Sequence, residues 1–161
     1  MIIEILGLVF CIIVGTIGHF LYEWSNYNNI VGFFFSKNEN VWEHMKLGIT
    51  PIIMWTIIEL LTFNFNNLFF AKFSSIVTFS VSLMVLYYSY KKVIKKNILF
   101  LDILIFYISI TLSSYVSIKL LMLPGITFIN FLSFIGMLFI IYLYFKFNKN
   151  TPNWFIFKNP N

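Results

Sequence analysis

Polar residues interrupt this chain at regular intervals, and five long apolar stretches lie between the interruptions. They run over 2–22, 41–63, 73–90, 98–118 and 126–145. Each is near the roughly 20 residues that carry an α-helix across a bilayer. The breaks are legible as turns: "NFNNLF" (64–69) and "KKVIKKN" (91–97) are polar, and "LPG" (123–125) joins a helix-stopping proline to a glycine. The pattern predicts an all-α fold, a single polytopic transmembrane helical bundle over 1–161 without internal repeats.

The longest connection, 23–38, has an apolar centre, "IVGFFF" (30–35), too short to cross a membrane and too apolar to stay in water. It is expected at the interface or as a re-entrant segment. Ser36 and Glu39 match a capping box, so the second helix is expected to begin before Val41 and to carry "NENVWEHMK" (38–46) as its first turns. Pro51 inside that helix leaves the Leu47 carbonyl without its donor, which predicts a kink. Trp24, Trp42, Trp55 and Trp154 mostly flank spans, as interface anchors do.

Composition narrows the class. The chain is 60% hydrophobic and 11% charged, whereas a soluble domain is roughly a quarter charged. It cannot cover its surface with polar groups, so an integral membrane protein is expected. All 11 basic residues are lysine. With no arginine-bearing patch and no room for a soluble module, nucleic-acid binding is excluded. Cys11 is the single cysteine, which rules out an intramolecular disulfide and a cysteine-rich metal site. The first residues lack a basic start and a small-residue cleavage site, so no removable signal peptide is expected.

The lysines orient the spans. Lys37, Lys46, Lys91, Lys92, Lys95, Lys96, Lys146, Lys149 and Lys158 fall on one side, against Lys72 and Lys119 on the other. By the positive-inside rule the N-terminus lies outside, and the loop 23–38 and tail 147–161 are cytoplasmic, in a bacterial plasma membrane. The basic face implies contact with anionic membrane lipids; no protein partner is indicated.

This orientation gathers most ionisable groups on one face. His19 and Glu23, four apart near the end of the first span, share a helix face, with Thr16 one turn earlier. Glu39 and Glu43 are also four apart, and Lys46 follows along their stripe. Adjacent carboxylates repel unless a proton, a lysine or a metal ion lies between them. His44 stands about 100° round the helix from Glu43, so the two can bracket a ligand. His19, Glu23, Glu43 and His44 are therefore candidate ligands of a divalent metal such as Zn, Fe or Mn. With Lys46 they are equally candidates for acid–base work. The competing interpretation is interfacial capping, because glutamates in a first turn favour the helix dipole. No HExxH, ExxH or CxxC occurs, and two histidines cannot make a three-histidine zinc site.

Two further acids stand apart. Glu59, near the outer end of the second span, is a functional candidate by its membrane position, with Lys72 or Lys119 as an alternative structural partner. Asp102, at the inner start of the fourth span, has Lys95, Lys96 or Lys146 as expected partners. The Ser75, Thr78, Ser82 and Ser89 stripe fits close helix packing. No nucleophile elbow, phosphate loop or dinucleotide pattern is present.

The combination of "GHFLYEW" (18–24) with "NENVWEHMKLGITP" (38–51) resembles an uncharacterised family of small bacterial integral membrane proteins defined only as a domain of unknown function. The resemblance covers the whole chain. Its signature, H-x3-E followed by N-E-x-V-W-E-H-x-K, is matched by His19, Glu23, Asn38, Glu39, Trp42, Glu43, His44 and Lys46. The family's tail ends in an aromatic, a basic residue and Asp-Pro, whereas "FKNP" (157–160) has Asn159 in place of the acid. The resemblance names no reaction, but it implies that the polar cluster is a family feature.

Three functions compete. One is a membrane-embedded enzyme on a lipid-type substrate, with Lys46 holding a phosphate or balancing charge. Another is a small transporter or ion-conducting protein with Glu59 as an outer station, which a lysine-paired Glu59 argues against. The last is a non-catalytic membrane subunit that docks a partner through its loop and basic face.

Overall fold

The computed structural model describes residues 2–96 and 98–159. Along the chain come α1 (Ile2–Trp24), α2 (Asn29–Phe34), α3 (Val41–Thr62), α4 (Leu68–Ile94), α5 (Leu99–Leu121), α6 (Thr127–Lys149) and a single 3-10 turn at Phe155–Phe157. Among the described residues all regular structure is helical. Helices α1, α3, α4, α5 and α6 are each long and apolar enough to cross a membrane, so the chain is an all-α, multi-pass membrane-type bundle. Its outside fits lipid: Ile5, Val9 and Ile13 on α1 and Phe128, Phe131 and Phe139 on α6 are all exposed. An apolar surface of that extent is tolerated in hydrocarbon and not in water.

Helix α3 lies at the centre, buried on most sides between α1 and α4. Helix α1 meets it through Gly7, Cys11, Gly15 and Gly18, the small residues that let membrane helices approach closely. At Gly15 the reason for glycine is direct. A Cβ there would stand 2.6 Å from the Leu47 carbonyl and 2.5 Å from the Phe106 ring. That carbonyl is the one Pro51 deprives of its helical donor, so the gap in α1 accommodates the defect in α3. Gly48 similarly leaves room for the Phe79 ring, which is fully buried.

Several local expectations change. Helix α3 does not begin before Val41, because Asn40 is its N-cap: the Asn40 side chain accepts the Glu43 N–H at 2.9 Å. Ser36 instead donates to the Asn38 carbonyl at 2.8 Å, and Asn38 accepts the Asn40 N–H at 3.1 Å. Residues 36–40 therefore form a hydrogen-bonded loop and not a first helical turn. The apolar segment of the long connection is the helix α2, capped by Asn28, with Gly32 and Phe33 buried. Asn26 and Tyr27, at φ 53° and 59°, turn the chain from α1 into it. Helix α4 exceeds the apolar run at both ends and stops only at Lys95, which adopts a left-handed φ of 55°. Lysines are good helix formers, so the polar segment continues the helix.

Trp42 belongs to the core and is not an interface anchor, and Trp55 is half-buried. Trp42 is buried against Tyr144, Phe147 and Phe157, and Trp55 gives its indole N–H to Glu59 at 2.8 Å. The tail folds back on the bundle: Phe157 is buried, and its carbonyl accepts from Asn40 at 3.2 Å.

Asn67 ties the opposite end together. Fully buried, it donates to the carbonyls of Leu123 at 3.0 Å and Pro124 at 2.8 Å and accepts the Ile126 N–H at 2.9 Å. It thus fastens the start of α4 to the "LPG" turn between α5 and α6. Asn67→Ala strands these backbone groups away from water and is expected to cost about 2–3 kcal/mol. Reversible unfolding in mixed micelles, followed by circular dichroism, measures that loss.

Candidate functional site

One end of the bundle carries the C-terminal turns of α1 and α4 and the N-terminal turns of α3 and α5. There, His19 from α1 and His44 from α3 face each other, their ring centroids 5.6 Å apart. The Glu39 carboxylate, from the loop before α3, reaches both: Oε1 lies 3.6 Å from His19 Nε2 and Oε2 lies 3.5 Å from His44 Nε2. His44 Nδ1 is 3.0 Å from the Asn40 carbonyl. A carbonyl only accepts, so Nδ1 carries a proton. His44 Nε2 is then the atom free to gain or lose one, and it points at a carboxylate. Asn40 is itself held by the Glu43 N–H and the Phe157 carbonyl, so the folded tail helps to fix the imidazole.

Beside this trio a cleft of about 270 Å³ opens between α3, α4 and α5. Its polar lining is Glu39, His44, Tyr87 and Asp102; its walls include Leu83 and Phe106. Tyr90 donates its hydroxyl proton to Asp102. Among the described residues no lysine pairs with Asp102. Glu39 is 64% exposed and each histidine about a quarter, at 26% and 23%, so the mouth is open. The arrangement sets polar groups beside apolar walls and puts an imidazole against a carboxylate, a pairing suited to moving a proton.

The remaining sequence candidates lie elsewhere. Glu43 and Lys46 are buried as an ion pair at 2.8 Å. Glu43 also accepts the Lys37 N–H at 2.8 Å, and Lys46 donates to the Gly32 carbonyl at 3.1 Å. The pair thus clamps α2 and the loop onto α3. Glu23 is exposed, and among the described residues its side chain meets no hydrogen-bond or ionic partner. Of His19, Glu23, Glu43 and His44, the structure brings the two histidines together and lines the cleft with His44, while Glu43 turns to Lys46 and Glu23 is exposed. Among the described residues no three His, Cys, Asp or Glu side chains stand in a metal-holding arrangement.

The sequence model of the Family of unknown function (DUF6512) matches residues 2–160. This chain belongs to that family. No curated protein and no solved structure matches it.

In this DUF6512 protein Glu59 sits at the other end of the bundle, lysine-paired. Its Oε2 lies 2.8 Å from Lys72 Nζ, which is also 2.5 Å from Glu4 Oε1. Sequence reasoning named Lys72 as a partner but missed that Glu4 shares it. It also missed Tyr87 and Tyr90. A hint existed in the tyrosine-rich end of α4, "YYSY" (87–90), and in Asp102 standing just across the short turn.

Proposed function

We propose that this protein is a membrane-embedded enzyme that performs acid–base chemistry on a lipid-type substrate held in the cleft. The observation that carries this is the pairing of two imidazole Nε2 atoms with one carboxylate at the open, polar mouth of a cavity with apolar walls. His44 is the proton-transferring group, Glu39 takes up or balances the charge, and His19 holds Glu39 from the opposite side. Histidine in such a position contributes typically ~10²–10⁴-fold to a rate.

The polar lining also selects the substrate's head. Glu39 and Asp102 are acids, and among the described residues no lysine lines the cleft; Lys46 is engaged by Glu43. Such a mouth repels a phosphate and favours a hydroxyl or an amine. The nine-to-two lysine bias supports a cytoplasmic location for this end, at the inner face of a bacterial plasma membrane.

The test is direct. The purified protein in nanodiscs is incubated with long-chain alcohols, long-chain amines and alkyl phosphates, and bound and converted species are read by mass spectrometry. Retention of the alcohol or amine, lost when Leu83→Trp fills the cleft, is expected. Preference for the alkyl phosphate, or binding indifferent to Leu83→Trp, contradicts the proposal.

A further inference from the structure

Two glutamates and one lysine meet inside the apolar body of the bundle, at the end opposite the histidines. Lys72 Nζ, from α4, lies 2.5 Å from Glu4 on α1 and 2.8 Å from Glu59 on α3. The three side chains are 4%, 6% and 0% exposed. Trp55 donates to Glu59 Oε1 at 2.8 Å, while Glu59 Oε2 receives no well-aligned hydrogen bond. Among the described residues helix α5 brings no charge here: it offers Ser113, which lines the void below, and Ser117, a buried hydroxyl with no hydrogen-bond partner. Cys11 on α1 completes the titratable groups. A void of about 20 Å³ lies against Glu4, Lys72, Ser75 and Ser113, which is room for about one water molecule.

Two carboxylates and one ammonium leave one uncompensated negative charge in a dry environment, where isolated charges are strongly disfavoured. Lys72 already occupies the space between the acids, so no large cation fits there. Carboxyl groups crowded onto one site are reconciled by a proton. From this geometry we infer that Glu4 and Glu59 bind one proton between them, with Lys72 remaining an ammonium. The site is independent of the His44 cleft. The small void gives that proton a water through which to exchange.

Infrared difference spectroscopy on the full chain in nanodiscs at pH 7 tests this. A carboxylic-acid carbonyl band equal to one group per chain, shifted in D2O, is expected in the wild type. Glu4→Gln and Glu59→Gln each leave one ionised carboxylate balanced by the Lys72 ammonium and are expected to abolish the band while the protein still folds. If a glutamine variant fails to fold, carbon-13 glutamate labelling of the wild type decides instead, since the band must then shift. Absence of the band in the wild type overturns the inference, including the case where melting depends on sodium and an alkali ion neutralises the site. So does a band that survives both substitutions, or one unmoved by the glutamate label.

Discussion

Lys46→Met is expected to cost about 3–5 kcal/mol, because it leaves the Glu43 carboxylate buried without its countercharge. Lys46 is 1% exposed and the Glu43 side chain 10%, so water cannot take over. The Lys37 N–H, which also donates to the Glu43 carboxylate, supplies a dipole where a full charge was removed. The Gly32 carbonyl also loses its donor, so α2 loosens as the bundle weakens. The double substitution Glu43→Gln with Lys46→Met removes both charges and is expected to recover most of the loss. A double-mutant cycle in mixed micelles should therefore show coupling of about 2 kcal/mol or more. A single-variant loss below about 1 kcal/mol would mean that Lys46 reaches solvent in the membrane. The result also separates roles: Glu43 and Lys46 stabilise the structure, and their removal should affect folding before it affects chemistry.

His44→Ala is expected to show the opposite profile. It is half-buried at the cleft mouth and packs no core, so its removal should leave the melting temperature near that of the wild type. Turnover of a bound long-chain alcohol or amine should fall by ~10²–10⁴-fold. His19→Ala is expected to lower turnover less, because His19 touches Glu39 and does not line the cleft. Asp102→Asn keeps the volume and the acceptor for Tyr90 and should raise KM more than it lowers kcat. Equal turnover in wild type and His44→Ala would remove His44 from the chemistry and leave the cleft as a binding site alone.

Much of this protein is set by its sequence because hydrocarbon imposes few choices. Apolar runs of membrane-spanning length must be helices, since no water is there to satisfy the backbone, and five of them follow from the positions of the polar breaks. The lysine asymmetry marks one end of the bundle by composition alone, and that end is where His19, Glu39 and His44 meet. Local hydrogen bonding was harder to foresee. The capping box at Ser36 and Glu39 competed with Asn40, and asparagine prevailed because it also reaches the tail.

Tertiary structure decided which charges work together. Glu39 and Glu43 share a helical spacing, yet Glu39 lies before the first turn of α3 and swings out to both imidazoles, while Glu43 turns inward to Lys46. Glu4, Glu59 and Lys72 belong to three different helices, and only their packing brings two acids onto one lysine. The cleft likewise pairs His44 with Tyr87 and Asp102 from neighbouring helices. Spacing along a chain reports one helix face at a time. The sequence therefore determined the number of spans and the polarised ends, because burial in lipid acts on each segment separately. The partners of each ionised side chain depend on rotations between helices, which side-chain packing at residues such as Gly15 and Phe106 sets.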